Sequence, residues 1–434
     1  MRSRVPVLIA GAGLAGLSTA HHLASSSYRL IEREPEVGGL CRSIRKAGFT
    51  FDYTGHLLHL RRPEMRKLVA ELLPEGSMLA IDRRSGIHSH GVFTEYPFQV
   101  NTYGLPLSVV RDCVNGFAEV MQHSGPPLED PSFADWATAT FGAGIARHFM
   151  VPYNEKLFRV GLDEMTADWV SWSIPRPTWA DVVRGALGEN RRTFGYNPQF
   201  LYPADGGIDH LPRALAARVA RAETGVGIEA IDLSRKEAML STGERVAYER
   251  LVSTLPLRRL LSIIDEVPSP VQQAAAALRA VSVLNLNLGF DRPCSLPYHW
   301  IYFPEARLPF YRVGVYSNLA PASSPTGCSS FYVEISHRPE HPIDVDHACE
   351  ASAAALCEVG LVPDGAALLV ASPVEIPVAY VIHDRARRAA LPLIHAFLES
   401  HGIRSTGRYG NWEYAAMEDA LWQGREAAAW CEKG

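Results

Sequence analysis

The 434-residue chain lacks the features of a secreted or membrane-spanning protein. No stretch reaches the roughly 20 apolar residues of a membrane span, and the run Val5 to Ala10 is too short for the apolar segment of a secretory signal. The seven cysteines are scattered, without the CxxC spacing of a zinc site or the pattern of a disulfide framework. We therefore expect a cytoplasmic protein with reduced thiols and no metal.

An excess of charge of one sign is missing as well. Lys and Arg number 42, Asp and Glu number 47, and there is no long basic run. Proteins that bind nucleic acid or an anionic membrane carry a basic face, so neither partner is expected. An anionic ligand would have to be bound by a few local cations.

The chain does contain a dinucleotide-binding fingerprint. Gly11, Gly13 and Gly16 follow the apolar run and precede a helical pattern. Gly11 permits a tight turn, Gly13 lets a pyrophosphate approach the backbone, and Gly16 lets helix and strand pack closely. Glu32 ends the second predicted strand, where a carboxylate can bind ribose hydroxyls and argues against NADP. The pattern predicts a Rossmann-like domain.

Gly38, Gly39 and Arg42 extend this fingerprint. An arginine offers forked donors to phosphate oxygens, and adjacent glycines clear its approach. The extension resembles that of the large FAD family that includes amine oxidases, protoporphyrinogen oxidases and UDP-galactopyranose mutases. The resemblance implies FAD as the cofactor, with these three residues at its pyrophosphate and ribityl region. A surface position for Arg42 is the alternative.

The fold class we expect is α/β, with a Rossmann-like FAD-binding domain, an inserted helical domain and an antiparallel-sheet substrate domain. Helical periodicity dominates residues 105–190, and strand-like alternation dominates 281–340. His88 and His90 alternate in a predicted hairpin and are expected to be exposed rather than metal ligands. The FAD domain is expected at 1–80, 204–280 and 385–434, the helical insertion at 81–203, and the substrate domain at 281–384.

Several later segments resemble the same FAD family, and the UDP-galactopyranose mutases of the eukaryotic type in particular. A predicted helix and strands over 208–253 resemble the family's return to the FAD domain, which implies that Val226 and Ile228 lie near the adenine. FDYTGH resembles a turn whose histidine, here His56, sits beside the flavin. GRYGNWEY resembles a segment whose arginine and tyrosine, here Arg408 and Tyr414, hold flavin and substrate phosphates. The resemblance implies that His56, Arg408 and Tyr414 are catalytic.

Three further motifs, YPFQ, PYNEKLF and GYNPQFLYP, resemble segments at the substrate cleft of the mutases. By this resemblance Tyr96 and Gln99 lie at the cleft, Asn154 and Phe158 surround the nucleotide base, and Asn197 contacts the diphosphate side. The alternative makes the aromatic residues core residues and the asparagines turn residues.

The reaction implied by the resemblance interconverts the pyranose and furanose rings of a nucleotide sugar without net redox change. N5 of reduced FAD acts as the nucleophile on the anomeric carbon, so no side-chain nucleophile is needed, and the chain has no GxSxG elbow. The expected partners are a nucleotide-diphosphate sugar and a flavin reductant such as NAD(P)H. The alternative function is an FAD-dependent oxidase or desaturase of the amine oxidase or protoporphyrinogen oxidase type.

Departures from the mutase pattern make the chain an atypical member. Ungapped counting puts Ser173 and Asp291 where the mutases use arginines on the diphosphate. Each lost charge-assisted contact would remove about 1.5 to 3 kcal/mol of binding. Phe158 also cannot donate a hydrogen bond as the family's tryptophan does. Nearby arginines are candidates to take over: Arg159, Arg176 and Arg292. A nucleotide sugar other than UDP-galactose is therefore expected.

Overall fold

The computed structural model describes residues 2–23, 28–122, 128–170, 174–190, 194, 198–220 and 222–433. Its strands are β1 (Arg2–Ala10), β2 (Tyr28–Glu32), β3 (Ser43–Lys46), β4 (Phe49–Asp52), β5 (Met78–Asp82), β6 (Ser85–Ser89), β7 (Val92–Glu95), β8 (Gln199–Pro203), β9 (Glu223–Thr224), β10 (Ile228–Asp232), β11 (Glu237–Leu240), β12 (Arg245–Ser253), β13 (Ala280–Phe290), β14 (Trp300–Tyr302), β15 (Arg312–Val315), β16 (Ser329–His337), β17 (Leu368–Val381) and β18 (Ile403–Ser405). Its helices are α1 (Leu14–His22), α2 (Pro63–Leu72), α3 (Leu107–Gln122), α4 (Phe133–Ile145), α5 (Val151–Phe158), α6 (Trp179–Leu187), α7 (His210–Ala216), α8 (Leu257–Ser262), α9 (Ser269–Ala277), α10 (Tyr316–Leu319), α11 (Val345–Glu358), α12 (Arg385–Ser400), α13 (Gly407–Gly410) and α14 (Met417–Glu432).

The first large sheet is built around β1, the strand that precedes the glycine fingerprint. Its strand order is β10-β11-β12-β1-β2-β9, and β18 also pairs with β12. β1 runs parallel to both β2 and β12, so that Ala10 lies beside Ile31 and Ser253 at one edge of the sheet. Helices cover both faces, which accounts for the uninterrupted apolar run of β1. The Rossmann-like fold expected from the fingerprint is confirmed.

The second large sheet has the strand order β17-β13-β16-β15-β14-β6-β7. The strands from β17 to β14 pair antiparallel, as the alternating pattern of residues 281–340 predicted. Nearly every residue of β13 and β16 is buried, because α11 packs on one face of the sheet and the other face turns toward the rest of the molecule. Polar residues within these strands therefore lie inside the protein.

The hairpin β6–β7 joins this second sheet by a parallel pairing of β6 with β14. Residues 85–95, which the sequence places in the helical insertion, thus pair with strands of the expected substrate domain. The domain boundaries themselves stay a prediction. The expected exposure of His88 is wrong. Its side chain is buried against the rings of Phe93 and Phe303 because this face of the hairpin packs on the loop after β14. His90, at the turn, is exposed.

Helices α3 to α6 and a π-helical turn at Ala146–Met150 form the helical region between β7 and β8. Gly116 and Gly144 let α3 and α4 pack closely, since a Cβ atom on Gly144 would lie 2.1 Å from the Asp112 carbonyl oxygen. Over the described ranges, no helix is long and apolar enough to cross a membrane, and no group of three or more His, Cys, Asp or Glu side chains could hold a metal ion.

Candidate functional site

A cavity of about 1270 Å³ runs from the carboxyl edge of the first sheet to the inner face of the second. At its fingerprint end the wall comes from the β1–α1 turn, the end of β2 and the segment 38–42. At its far end the wall comes from residues 53–61, from β14 to β17, and from residues 407–420. Segments far apart in sequence therefore meet around one space.

The three fingerprint glycines shape this end of the cavity, because positions without a side chain leave room for a ligand and for close packing of the backbone. Gly11 has a φ of +99°, and a Cβ atom there would lie 2.2 Å from Thr254 Oγ1. A Cβ atom on Gly16 would lie 1.9 Å from the Gly11 carbonyl oxygen, so Gly16 packs behind the turn rather than lining the cavity. Gly13 lines the cavity beside Gly39, whose Cβ would lie 3.2 Å from the Gly13 Cα. The bare backbone here is a cradle that fits a pyrophosphate.

Glu32 lies at the end of β2 and is 8% exposed. Its carboxylate accepts hydrogen bonds from the Ala12 amide at 2.7 Å and the Glu34 amide at 3.0 Å, which fixes it beside the fingerprint turn. Val226 donates its amide to the Glu32 carbonyl at 2.8 Å, and both Val226 and Ile228 line the cavity. These residues lie together in a pocket whose chemistry suits an adenosine, and the contact of Val226 and Ile228 with the adenine stays a prediction.

Arg42 lines the same stretch of the cavity together with Gly38. Its side chain is only 14% exposed, so the alternative of a surface position is wrong. Nε donates to the Gly39 carbonyl at 2.8 Å, and the guanidinium lies 4.5 Å from the centre of the Tyr53 ring. The glycine pair and the arginine are therefore one local unit.

His56 lies on the loop after β4 and faces the cavity. Its Nδ1 is 3.4 Å from Thr54 Oγ1. Desolvation by burial, together with the nearby Arg408 cation, lowers the pKa of His56 to about 4. The imidazole is therefore neutral near pH 7, and its environment disfavours a second positive charge.

Arg408 is held from several sides in the segment between β18 and α14. Nη1 donates to the Ala415 carbonyl at 3.0 Å and Nη2 to the Ala379 carbonyl at 2.8 Å. The guanidinium lies 4.9 Å from the Tyr414 ring centre and 5.3 Å from that of Tyr380. Those two rings are nearly parallel, with their centres 6.4 Å apart. The predicted pair Arg408 and Tyr414 is brought together with Tyr380, which the sequence did not single out.

Arg312 is a further cation of the cavity wall, in addition to Arg408, and the sequence patterns did not identify it. It is opposite Glu334 in the antiparallel β15–β16 pair, and Glu334 is 1% exposed. Nε and Nη2 of Arg312 donate to the Glu334 carboxylate at 2.5 and 2.8 Å, and Nη2 also lies 3.3 Å from the Tyr380 hydroxyl. This leaves Nη1 as the nitrogen without a protein partner within the described residues. The available signal was an arginine and a glutamate within predicted strands.

Tyrosines from strands of the second sheet, and one from the residue just before β15, complete the far end of the cavity: Tyr302, Tyr332 and Tyr380, and Tyr311. Tyr332 lies so close to the backbone that a Cβ atom on Gly314 would fall 1.8 Å from its ring, which explains the glycine in β15. Burial raises the pKa of Tyr302 and Tyr380, so both phenols remain protonated. The result is a wall of hydrogen-bond donors around two arginines.

Four of the predicted substrate residues lie behind this wall rather than on it. Gln99 is 1% exposed and donates Nε2 to the Pro175 carbonyl, and Asn154 donates Nδ2 to the Met150 carbonyl, each at 2.7 Å. Phe158 is buried against Trp169 and Tyr380, while Tyr96 packs on Tyr302 and lies under the Arg83 guanidinium. Tyr96 and Phe158 pack against other aromatic rings, in line with the alternative stated for them, whereas Asn154 lies inside α5 and not in a turn. The substrate roles of all four residues stay predictions.

The remaining predicted positions are Asn197, Ser173 and Asp291. Asn197 and Ser173 lie outside the described residues. Asp291 is exposed at the end of β13, where its carboxylate accepts the Ala367 amide at 2.8 Å, and it does not line the cavity. An anion at 291 therefore does not enter the site, and Arg312 supplies a cation that ungapped counting did not find.

The family to which the chain belongs follows from comparison with known proteins. The model of the flavin containing amine oxidoreductase family matches residues 14–358, and the chain belongs to that family. Within it, the chain is a UDP-galactopyranose-mutase-like FAD protein. A crystal structure of reduced UDP-galactopyranose mutase is 26% identical, covers 98% of this chain and 93% of its own, and superposes with a TM-score of 0.91.

Oxidases of the same family are also similar. Coproporphyrinogen III oxidase of Mycobacterium tuberculosis (strain ATCC 25618 / H37Rv) is 26% identical over 320 residues, which is 67% of each chain. The structure of wild-type putrescine oxidase bound to putrescine covers both chains fully with a TM-score of 0.66, but at 15% identity it shows the fold alone. FAD is the cofactor, and the residues that would hold it are those of the glycine cradle, Glu32 and Arg42.

Proposed function

We propose that the protein is a flavin-dependent mutase that interconverts the pyranose and furanose rings of a nucleotide-diphosphate sugar. The observation that carries the proposal is the far end of the cavity, where Arg312 and Arg408 share one space with Tyr302, Tyr380 and Tyr414. Fixed guanidiniums suit phosphate oxygens, because they offer forked hydrogen-bond donors in a set geometry. The likeness to a reduced UDP-galactopyranose mutase over 98% of the chain supports the same function.

Arg312 and Arg408 would bind the diphosphate while it is separated from the sugar. Glu334 orients Arg312 so that Nη1 is the free donor, and two carbonyls orient Arg408. Because both guanidiniums are fixed in advance, little reorganisation accompanies the charge that develops on the leaving oxygen. Reduced FAD, when bound, supplies the nucleophile for the anomeric carbon, so no side chain has to bond to the sugar.

The phenols and His56 would complete the binding of the sugar and the phosphates. Tyr302 and Tyr380 stay protonated and can donate to sugar or phosphate oxygens. Tyr414 is 43% exposed at the rim of the cavity and would contact the substrate phosphates. His56 is neutral and can exchange a hydrogen bond without adding a cation beside Arg408. In this proposal His56, Arg408 and Tyr414 are catalytic, and Arg312 joins them.

An anaerobic activity measurement tests the proposal. The purified protein is reduced with dithionite and offered a panel of nucleotide-diphosphate sugars, and the products are separated and weighed by mass spectrometry. The expected products are isomers of unchanged mass, formed only with reduced flavin and without consumption of oxygen. NAD(P)H in place of dithionite tests the proposed reductant. Failure of every nucleotide-diphosphate sugar to isomerise with fully reduced flavin would overturn the mutase proposal.

An FAD-dependent oxidase or desaturase is the second candidate. The observation that favours it is the similarity to coproporphyrinogen III oxidase over 67% of the chain. Its signature in the same experiment is turnover that needs oxidised flavin and releases peroxide. The two arginines would suit an anionic oxidase substrate as well as a diphosphate, so the flavin state that turnover requires decides between the two candidates.

A further inference from the structure

Glu418 is a buried carboxylate between the two segments that flank the far end of the cavity. It is 0% exposed and lies in the first turn of α14, directly after the lining residues Ala415 to Met417. Across from it is the loop 53–62, which carries His56. None of the reaction steps proposed above uses Glu418, although an isolated buried carboxylate is costly.

Four donors from the loop converge on this one carboxylate. Oε1 accepts the backbone amides of Arg61 at 2.5 Å and Arg62 at 2.7 Å. Oε2 accepts Nε of Arg61 at 3.1 Å and Nη1 of Arg62 at 3.0 Å. Asp419 adds ion pairs to both arginines at 2.8 and 2.9 Å. Backbone as well as side chains of the loop are therefore tied to the start of α14.

The first half of α14 is itself fixed to the fingerprint helix α1. Gly424 packs so closely on α1 that a Cβ atom there would lie 2.3 Å from the Ala15 carbonyl oxygen. Ser18 of α1 also donates its hydroxyl to the Leu421 carbonyl at 2.6 Å. The FAD cradle, α14 and the loop are thus linked by one continuous series of contacts. Glu418 makes the contact between α14 and the loop.

We infer that Glu418 is a positioning residue, which sets where the His56 loop lies relative to the FAD site and to Arg408. Arg408 is attached to the same end of α14, because its Nη1 donates to the Ala415 carbonyl just before the helix. A carboxylate is required because all four partners are hydrogen-bond donors and each oxygen of Glu418 accepts from two of them. In a glutamine, the amide nitrogen would replace one of these oxygens, and it cannot accept a hydrogen bond from its two donors. The consequence for turnover rests on the proposed function, whereas the consequence for the loop and the bound flavin does not.

The test compares Glu418→Gln with the matched control Asp209→Asn. Asp209 is likewise a buried carboxylate, 3% exposed, which accepts a pair of bonds from Arg45 at 2.9 and 3.1 Å but does not line the cavity. Hydrogen exchange of residues 53–62 is measured on both FAD-loaded variants, together with the visible circular dichroism of the flavin. Glu418→Gln should speed exchange in this loop about tenfold and change the flavin signal, while Asp209→Asn should do neither.

The opposite results would overturn the inference. These are unchanged exchange and an unchanged flavin signal in Glu418→Gln, or the same changes in Asp209→Asn, which would mean general loosening. Glu418→Asp supplies a second variant that keeps the charge, and it should fall between wild type and Glu418→Gln in both measurements. Neither readout needs a sugar substrate, so a failure here is distinguishable from a failure of the mutase proposal.

Discussion

The fingerprint end and the far end of the cavity differ in the kind of atoms that form their walls. At the fingerprint end, bare backbone at Gly11, Gly13, Gly38 and Gly39 forms the cradle, with the side chains of Glu32 and Arg42 beside it. The far end is formed by the side chains of Arg312, Arg408, His56 and several tyrosines, which come from segments far apart in the sequence. Binding at the first end therefore depends on side-chain atoms being absent, whereas binding at the second depends on their presence and charge.

The largest expected effect is at the fingerprint end, where added methyl groups should act in two distinguishable ways. Gly16→Ala puts a Cβ 1.9 Å from a backbone oxygen and should lower both stability and FAD retention. Gly13→Ala meets nothing closer than 3.7 Å in the protein, so the apoprotein should unfold at nearly the wild-type urea concentration while FAD is lost. Urea titrations and the flavin content after gel filtration measure the two outcomes. Retention of FAD by Gly13→Ala would contradict the backbone cradle.

At the far end, removing a cation should lower the activity but leave FAD bound. Arg408→Ala and Arg312→Met should each keep bound FAD and lower kcat/KM by roughly 10- to 100-fold, since each removes a charge-assisted contact to phosphate. Arg312→Met leaves Glu334 buried without its cation, so Arg312→Met/Glu334→Gln serves as the control for misfolding. Wild-type turnover by either arginine variant would remove the assignment of the phosphate site.

A smaller effect is expected from pH, through His56. Its folded pKa of about 4 is below the unfolded value, so in the window between them the unfolded chain binds more protons. The contribution of His56 to the free energy of unfolding is therefore fully present above about pH 6.5. It is lost as the pH falls toward the folded pKa. Between pH 7 and pH 5, the wild type should lose about 1 to 2 kcal/mol of unfolding free energy more than His56→Gln. Equal losses in urea titrations would show that His56 is not desolvated.

The smallest effect is expected at Cys41, which lines the cavity but is chemically inert. Burial raises the pKa of its thiol to about 12, so the reactive thiolate is absent near neutral pH. Cys41→Ala should keep FAD and activity, as a matched contrast to Arg408→Ala in the same assay. A large loss of activity in Cys41→Ala would mean that a thiol takes part in the reaction.

The same contrast explains which parts of the site could be predicted from the sequence. Gly11, Gly13 and Gly16 lie within six residues of one another, so their spacing alone predicts the geometry of the turn between β1 and α1. Arg312 and Tyr380 meet only because β15, β16, β13 and β17 pair in a particular register, and no local pattern states that register. The fold class was confirmed because strand and helix periodicities are also local.

The helical region shows what a motif resemblance leaves open. In the PYNEKLF segment, Asn154 donates to the Met150 carbonyl one turn earlier and Phe158 packs inside a cluster of aromatic rings. Their predicted substrate contacts stay predictions. Whether a polar side chain faces a ligand or a carbonyl depends on neighbours distant in sequence, such as the Pro175 carbonyl that accepts from Gln99.

The most direct test of the mutase function follows the flavin absorbance while product forms, without oxygen and with the flavin fully reduced at the start. A mutase accumulates nucleotide-sugar isomer to many equivalents per flavin while the absorbance stays that of reduced flavin. If instead each product molecule is accompanied by oxidation or reduction of one flavin, the reaction is a net redox reaction and the proposed mutase function is wrong.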